Sequence, residues 1–158
     1  FEISIIPNEV EGKNPLIMGK LGNDENKKTL LFYSHYDVQP ASIEDEWDTE
    51  PFDMTQKEDG YVYGRGTNDD KGPITATYFA IKHLQEEGEL PINIAILYEG
   101  EEESSSGGFE ETVTANREFY GEVDGIMVLD TSWFSDERPS VDYGFRGIAY
   151  MSINITGP

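Results

Sequence analysis

The chain has no cysteine, only two histidines, and 11 basic side chains against 32 acidic ones in 158 residues. Without cysteine there can be no disulfide, no thiolate metal site and no cysteine nucleophile. A formal charge of −21 repels nucleic acid and anionic membrane, which both need clustered Lys and Arg, so neither is expected as a partner. No apolar run approaches the roughly 20 residues of a membrane helix, and the N-terminus lacks a basic-then-apolar leader. A cytoplasmic protein is expected. There is no internal repeat, and low complexity is confined to the Glu and Ser runs between Glu101 and Ser106.

What is present fits one globular domain. The chain is 37% apolar and 12% aromatic, enough for a real core. Most of the acidic excess must be solvated surface, because a cation site uses only about five or six carboxylates. Apolar runs at Ile3–Ile6, Leu16–Met18 and Leu30–Tyr33, separated by polar turns, read as strands. Residues 39–58 carry Pro40, Pro51 and many acids and read as a long loop. Tyr61–Tyr63 is a short strand, and the pattern from Pro73 predicts an amphipathic helix ending near Gly88. Pro91–Tyr98 is apolar almost throughout, as a strand covered on both faces should be. A helix follows from Ser106–Gly108 to about Phe119, then a buried strand at Ile126–Leu129. Val141–Tyr143 and Gly147–Ile155 read as two more strands, with a turn at Thr156-Gly157-Pro158. Strands alternating with helices give an α/β fold with a mixed, mostly parallel sheet flanked by helices.

The chemistry-bearing residues stand where strands end, which is where open α/β sheets bind ligands. They are His35 and Asp37 in S-H-Y-D-V-Q-P, Asp69 in G-R-G-T-N-D-D-K-G-P, Glu102 and Glu103 in Y-E-G-E-E-E-S-S-S-G-G, and Asp130 in M-V-L-D-T. One imidazole with several carboxylates is a ligand set for a hard or borderline divalent metal. A lone strand-end histidine is more often a packing residue. Asp37 changes that balance, because residues i and i+2 of an extended segment share a face and a ligating imidazole needs its second nitrogen held. His83 sits beside Lys82 on the expected helix, away from any acid array in sequence, and reads as surface.

Gly64-x-Gly66 before a helix superficially suggests a phosphate loop, but the third glycine and the Gly-Lys-Ser/Thr ending are missing and Asp69 and Asp70 stand where an anion would approach. Asp69 could bridge two metals or simply cap the helix. Glu99, Glu101, Glu102 and Glu103 follow a buried strand, where they would repel one another unless something positive sits among them. With a metal there, one could ligate it while a neighbour accepts a proton from water. Ser104–Ser106 lack the strained Gly-x-Ser-x-Gly elbow of a serine nucleophile.

Taken together, S-H-Y-D-V-Q-P, W-D-T-E-P-F, Y-G-R-G-T-N-D-D-K-G-P, Y-E-G-E-E-E-S-S-S and Y-G-F-R-G resemble, in order and from about Leu30 to Gly147, a family of dinuclear zinc peptidases and deacylases. That family includes carnosinase, cytosolic nonspecific dipeptidase, acetylornithine deacetylase and succinyl-diaminopimelate desuccinylase, and the segments are most like its carnosinase and nonspecific dipeptidase branch. The resemblance implies that His35 and Asp130 bind one zinc, that Asp69 bridges two, and that Glu103 ligates the second. It implies Asp37 as the partner that orients His35, Glu102 as general base, and a cis peptide between Asp69 and Asp70. Mn2+ or Co2+ could replace Zn2+ in such a site. The implied reaction is hydrolysis of dipeptides or short peptides by a two-zinc-activated water. Rival expectations are an N-acyl amino acid deacylase and a non-catalytic subunit that kept the fold. Relatives take a late histidine at the second metal and carry a lid domain that mediates homodimerisation, and no histidine follows His83 here. Residues 1–146 are therefore expected to be the N-terminal part of a catalytic domain, incomplete and inactive alone, with residues 147–158 leading toward a missing lid.

Overall fold

The computed structural model describes residues 1–88, 90–135 and 137–157. In chain order its elements are β1 (Glu2–Ile6), β2 (Leu16–Leu21), β3 (Thr29–His35), β4 (Thr55–Gln56), β5 (Val62–Tyr63), α1 (Lys71–Glu86), β6 (Asn93–Glu99), α2 (Phe109–Ala115) and β7 (Gly125–Val128). Five strands pair into one sheet in the order β1-β2-β6-β3-β7, while β4 and β5 form a separate two-stranded ribbon. The β1–β2 and β2–β6 pairs are antiparallel, and β6–β3 and β3–β7 are parallel. The sheet is therefore mixed, as expected, but its parallel share is half rather than most. The hairpin-linked β1 and β2 account for the difference, because a short connection can only join antiparallel neighbours.

β6 explains how the layers assemble. Its side chains alternate across the sheet, so Ile94 and Ile96 pack with Ile81 of α1 on one face. Ala95 and Leu97 join Leu16, Met18 and Leu31 on the other, where Phe109 and Val113 of α2 cover them. Both faces are occupied, hence the unbroken apolar run. From β3 the chain passes through α1 to β6 on one side, then through α2 to β7 on the other. β3 is thus the switch point of the sheet, and the carboxyl ends of β6, β3 and β7 open on one edge.

Local chemistry adjusts several of the expected boundaries. α1 starts at Lys71, ahead of Pro73, because a proline in the first helical turn gives up an amide that has no intrahelical partner anyway. The helix expected to reach Phe119 divides into α2 and a 3-10 turn at Arg117–Phe119, and at the break the Asn116 side chain donates to the Thr112 carbonyl (2.9 Å). The loop over 39–58 is largely irregular as expected, apart from a 3-10 turn at Ile43–Asp45 and the two residues of β4.

The strands expected at Val141–Tyr143 and Gly147–Ile155 are not formed. Their alternation is suitable, but a strand also needs a neighbour for its amides and carbonyls. Among the described residues neither segment pairs with a strand, and Val141 and Tyr150 are 80% and 95% exposed. Pro158, at the end of the turn expected there, lies outside the described residues.

Leu97 is 5% exposed and packed from both sides of its face. Leu97→Ala in the intact protein should cost about 2–5 kcal/mol, read as a lower denaturation midpoint at unchanged slope.

Candidate metal centre

Three segments bring ligand atoms to the open edge of the sheet. His35 ends β3 with its side chain fully buried. Asp130 follows β7, whose pairing runs on through the Leu129 amide to the Tyr33 carbonyl (3.0 Å). Asp69 comes from the turn between β5 and α1, which is closed by the Lys71 amide on the Gly66 carbonyl (3.0 Å). Gly66 has φ +89°, and any Cβ there would lie 2.8 Å from a Val38 methyl, so this turn requires glycine. The Asp69–Asp70 peptide is cis, as the resemblance implied.

The Nε2 atom of His35 is 2.8 Å from Asp69 Oδ1 and 3.8 Å from Asp130 Oδ2. One donor atom from each of the three lies within 4.8 Å of the others. The helix-cap alternative for Asp69 does not hold: Asp70 occupies the N-cap position, and no side chain caps the helix. Asp70 instead turns inward, fully buried, and accepts from the Ser34 hydroxyl and the His35 amide.

The other face of the imidazole meets Asp37. Its Nδ1 is 3.1 Å from the Asp37 carbonyl and 3.3 Å from the carboxylate. The same carboxylate accepts the backbone amides of Glu102 (3.2 Å) and Glu103 (3.0 Å). Asp37 therefore ties the end of β3 to the turn after β6. The Glu102 carboxylate comes within 4.0 Å of His35 Nε2, beside the three-residue group. Glu103 lies outside that group and accepts from the Gln39 side-chain amide, which reaches both its carboxylate (2.8 Å) and its carbonyl (3.2 Å). Gln39 was not among the expected residues. The available signal is period two, since His35, Asp37 and Gln39 alternate along one extended segment.

The four glutamates at and after the end of β6 separate into two pairs. Glu99 is buried, accepting from the Tyr33 hydroxyl and from Ser106 (3.1 Å). Glu101 turns to Lys13 (2.8 Å), and that ammonium, with the Asn14 amide and the Ser104 hydroxyl, holds its carboxyl down at about 2. Only Glu102 and Glu103 remain at the site. Ser104 and Ser106 are thus anchors for acids. His83, at 3.5 Å from Glu87, is exposed as expected.

Burial raises the Glu102 and Asp130 carboxyls above their ordinary values, and the neighbouring acids add to the shift against a counter-pull from His35. For His35, burial opposes the charge, but the hydrogen bond to Asp69 and the fields of Asp130, Glu102 and Asp69 outweigh it and raise its pKa. Such a set holds negative charge only reluctantly. A divalent cation would relieve it, and the imidazole-plus-carboxylate donors suit one.

A family model described as "Peptidase family M20/M25/M40" matches residues 31–147. A Cys-Gly metallodipeptidase of Schizosaccharomyces pombe is 42% identical over 146 residues, covering 91% of this chain and 31% of that protein. The human Beta-Ala-His dipeptidase is 41% identical over 143 residues, covering 89% and 28%. Among solved structures, human carnosine dipeptidase 1 superposes with a TM-score of 0.75 at 37% identity, over 85% of this chain and 30% of that one. The chain spans about a third of the length of the curated relatives it matches.

Protons and a divalent cation must compete for this centre. With the His35, Asp130 and Glu102 pKa values all raised, affinity should climb as pH rises through those values and the groups shed protons. Calorimetric zinc titration of the intact protein, in two buffers of different ionisation enthalpy, should show proton release and tighter binding from about pH 5 to about pH 8. Binding without proton release would count against His35 as a ligand.

Proposed function

This chain belongs to peptidase family M20/M25/M40, and from that premise we propose that the intact protein hydrolyses the peptide bond of dipeptides or short peptides at a zinc centre. The observation that carries the reading is the position of Glu102. Its carboxylate stands within 4.0 Å of His35 Nε2, next to the His35, Asp69 and Asp130 donors. Its pKa is raised first by burial, which moves a carboxylate toward the range where a general base works near neutral pH. Three ligands with a fourth carboxylate beside them is the composition of a hydrolytic centre rather than of a closed structural one. The names of the similar proteins, a Cys-Gly metallodipeptidase and a Beta-Ala-His dipeptidase, support a dipeptide substrate.

Zinc bound here, two ions in a complete site, would supply Lewis acidity that polarises the scissile carbonyl and eases deprotonation of water. The chain's own residues do the rest. Glu102 takes the proton from the attacking water and returns it to the leaving amine. His35, Asp69 and Asp130 would hold the first ion, and Asp69 and Glu103 would contribute to the second. Asp37 fixes the ring of His35 through Nδ1 and, through the amides of Glu102 and Glu103, keeps the base in register with the ligands. Gln39 steers the Glu103 carboxylate. In this reading residues 1–146 are the N-terminal part of the catalytic domain, residues 147–158 lead toward a lid that supplies the dimer contact, and a histidine from farther downstream supplies the remaining ligand. The working compartment is the cytoplasm.

Glu102→Gln in the intact protein should lower kcat by at least about 10³-fold with zinc content retained, the scale expected for loss of a general base. Turnover within about tenfold of wild type would remove Glu102 from that role. Dipeptides run against N-acyl amino acids settle the substrate class: a preference for the latter would make the protein a deacylase using the same site. The 158-residue chain by itself should show no turnover.

A further inference from the structure

We infer that Glu101, held by Lys13 and Asn14 of the β1–β2 loop, is a positioning residue that sets the turn presenting Glu102 and Glu103. This rests on the proposed roles of those two acids. Both oxygens of Glu101 are saturated. Oε1 accepts from the Asn14 backbone amide (2.9 Å) and side-chain amide (3.0 Å), while Oε2 accepts from Lys13 Nζ (2.8 Å) and the Ser104 hydroxyl (2.9 Å). The side chain is only 11% exposed. A surface ion pair has no need of four donors. This arrangement is a built socket that reaches 88 residues along the chain.

The socket grips the turn on both sides. Asn14 also donates to the Gly100 carbonyl (2.8 Å), just before the glutamates. Asn8 donates to Asn14 O and to Gly107 O (both 3.1 Å), just after the serines. Between these grips the Glu101 carbonyl accepts the amides of Ser104 (3.0 Å) and Ser106 (2.7 Å). The chain there passes through Ser105 and Ser106, at φ +75° and +51°, a left-handed region that serine enters sparingly. A turn of that shape persists only when its surroundings fix it. Asp37 fixes it from the side of the site, and Glu101 fixes it from the side of the scaffold. With the scaffold side released, the carboxylates of Glu102 and Glu103 would keep their identity and lose their aim.

Glu101→Ala, Glu101→Gln and Lys13→Met in the intact protein test this by zinc calorimetry, dipeptide kinetics and thermal denaturation. Glu101→Ala should lower kcat by about 10- to 100-fold with KM changed by less than about twofold, the cost of a misplaced catalytic group. It should also weaken the second zinc equivalent by about tenfold. Glu101→Gln, whose amide oxygen still accepts from Asn14, should recover most of both losses, and Lys13→Met should fall between. Wild-type zinc affinity and kcat in Glu101→Ala would overturn the inference. So would losses that follow the fall in Tm alone, with Gln no better than Ala. If Glu101→Ala does not fold, Lys13→Met decides: unchanged kcat and zinc affinity overturn the clamp. Wild-type protein that binds zinc but cleaves no dipeptide would refute the proposed activity, and the zinc series would still judge the clamp.

Discussion

Carboxylates crowded at the end of a sheet need donors or a cation to offset their charge, and that requirement shapes much of this molecule. Glu99, Asp70 and Glu101 are drawn into the protein by hydroxyls, amides and one lysine. Asp37 faces both ways, with an imidazole on one side and two backbone amides on the other. Asp69, Glu102 and Asp130 are left to share His35. The acids turned into the protein toward such donors are scaffold. Those that share one ring are where a cation belongs, and burial raises the Glu102 and Asp130 carboxyls among them.

The fold brings this about through β3. Because β6 and β7 lie on opposite sides of it and run parallel to it, three strand ends open together. Register then does the fine placement: His35 is level with Glu99, so the loop that leaves β6 carries Glu102 back toward the imidazole and Glu103 to Gln39. α1 and α2 occupy opposite faces and cover β6 and β3, whereas β7, expected from its apolar run to be buried, stays exposed, with Ile126 at 68%. The parallel half of the sheet thus carries the site, and the antiparallel half, β1 and β2, braces it through Lys13 and Asn14.

What was legible in the sequence follows from how local each cause is. β6 could be read from its composition, since a strand covered on both faces must be apolar throughout. His35, Asp69, Glu102 and Asp130 could be read because each closes an apolar run or a glycine-tight turn. The residues at 147–155 alternate as a strand should, but alternation says nothing about a partner, and pairing is what makes a strand. Lys13 and Asn14 gave no signal, because their importance lies in contacts 88 and 87 residues away, and Gln39 offered only its period-two spacing from His35 and Asp37. The three serines were open to misreading for the opposite reason: a hydroxyl run looks like chemistry, and here Ser104 and Ser106 serve as hydrogen-bond donors to neighbouring acids.

β1 lies at the margin of the sheet with Ile3 and Ile5 at 57% and 69% exposure. Among the described residues its outer backbone meets no neighbour, the condition under which strands of different molecules join. A net charge of −21 opposes that encounter at long range, within a screening length of about 8 Å at physiological salt. The open strand edge and the acidic surface thus act in opposite directions, and added salt, which screens the second and leaves the first unchanged, tips the balance toward contact between copies.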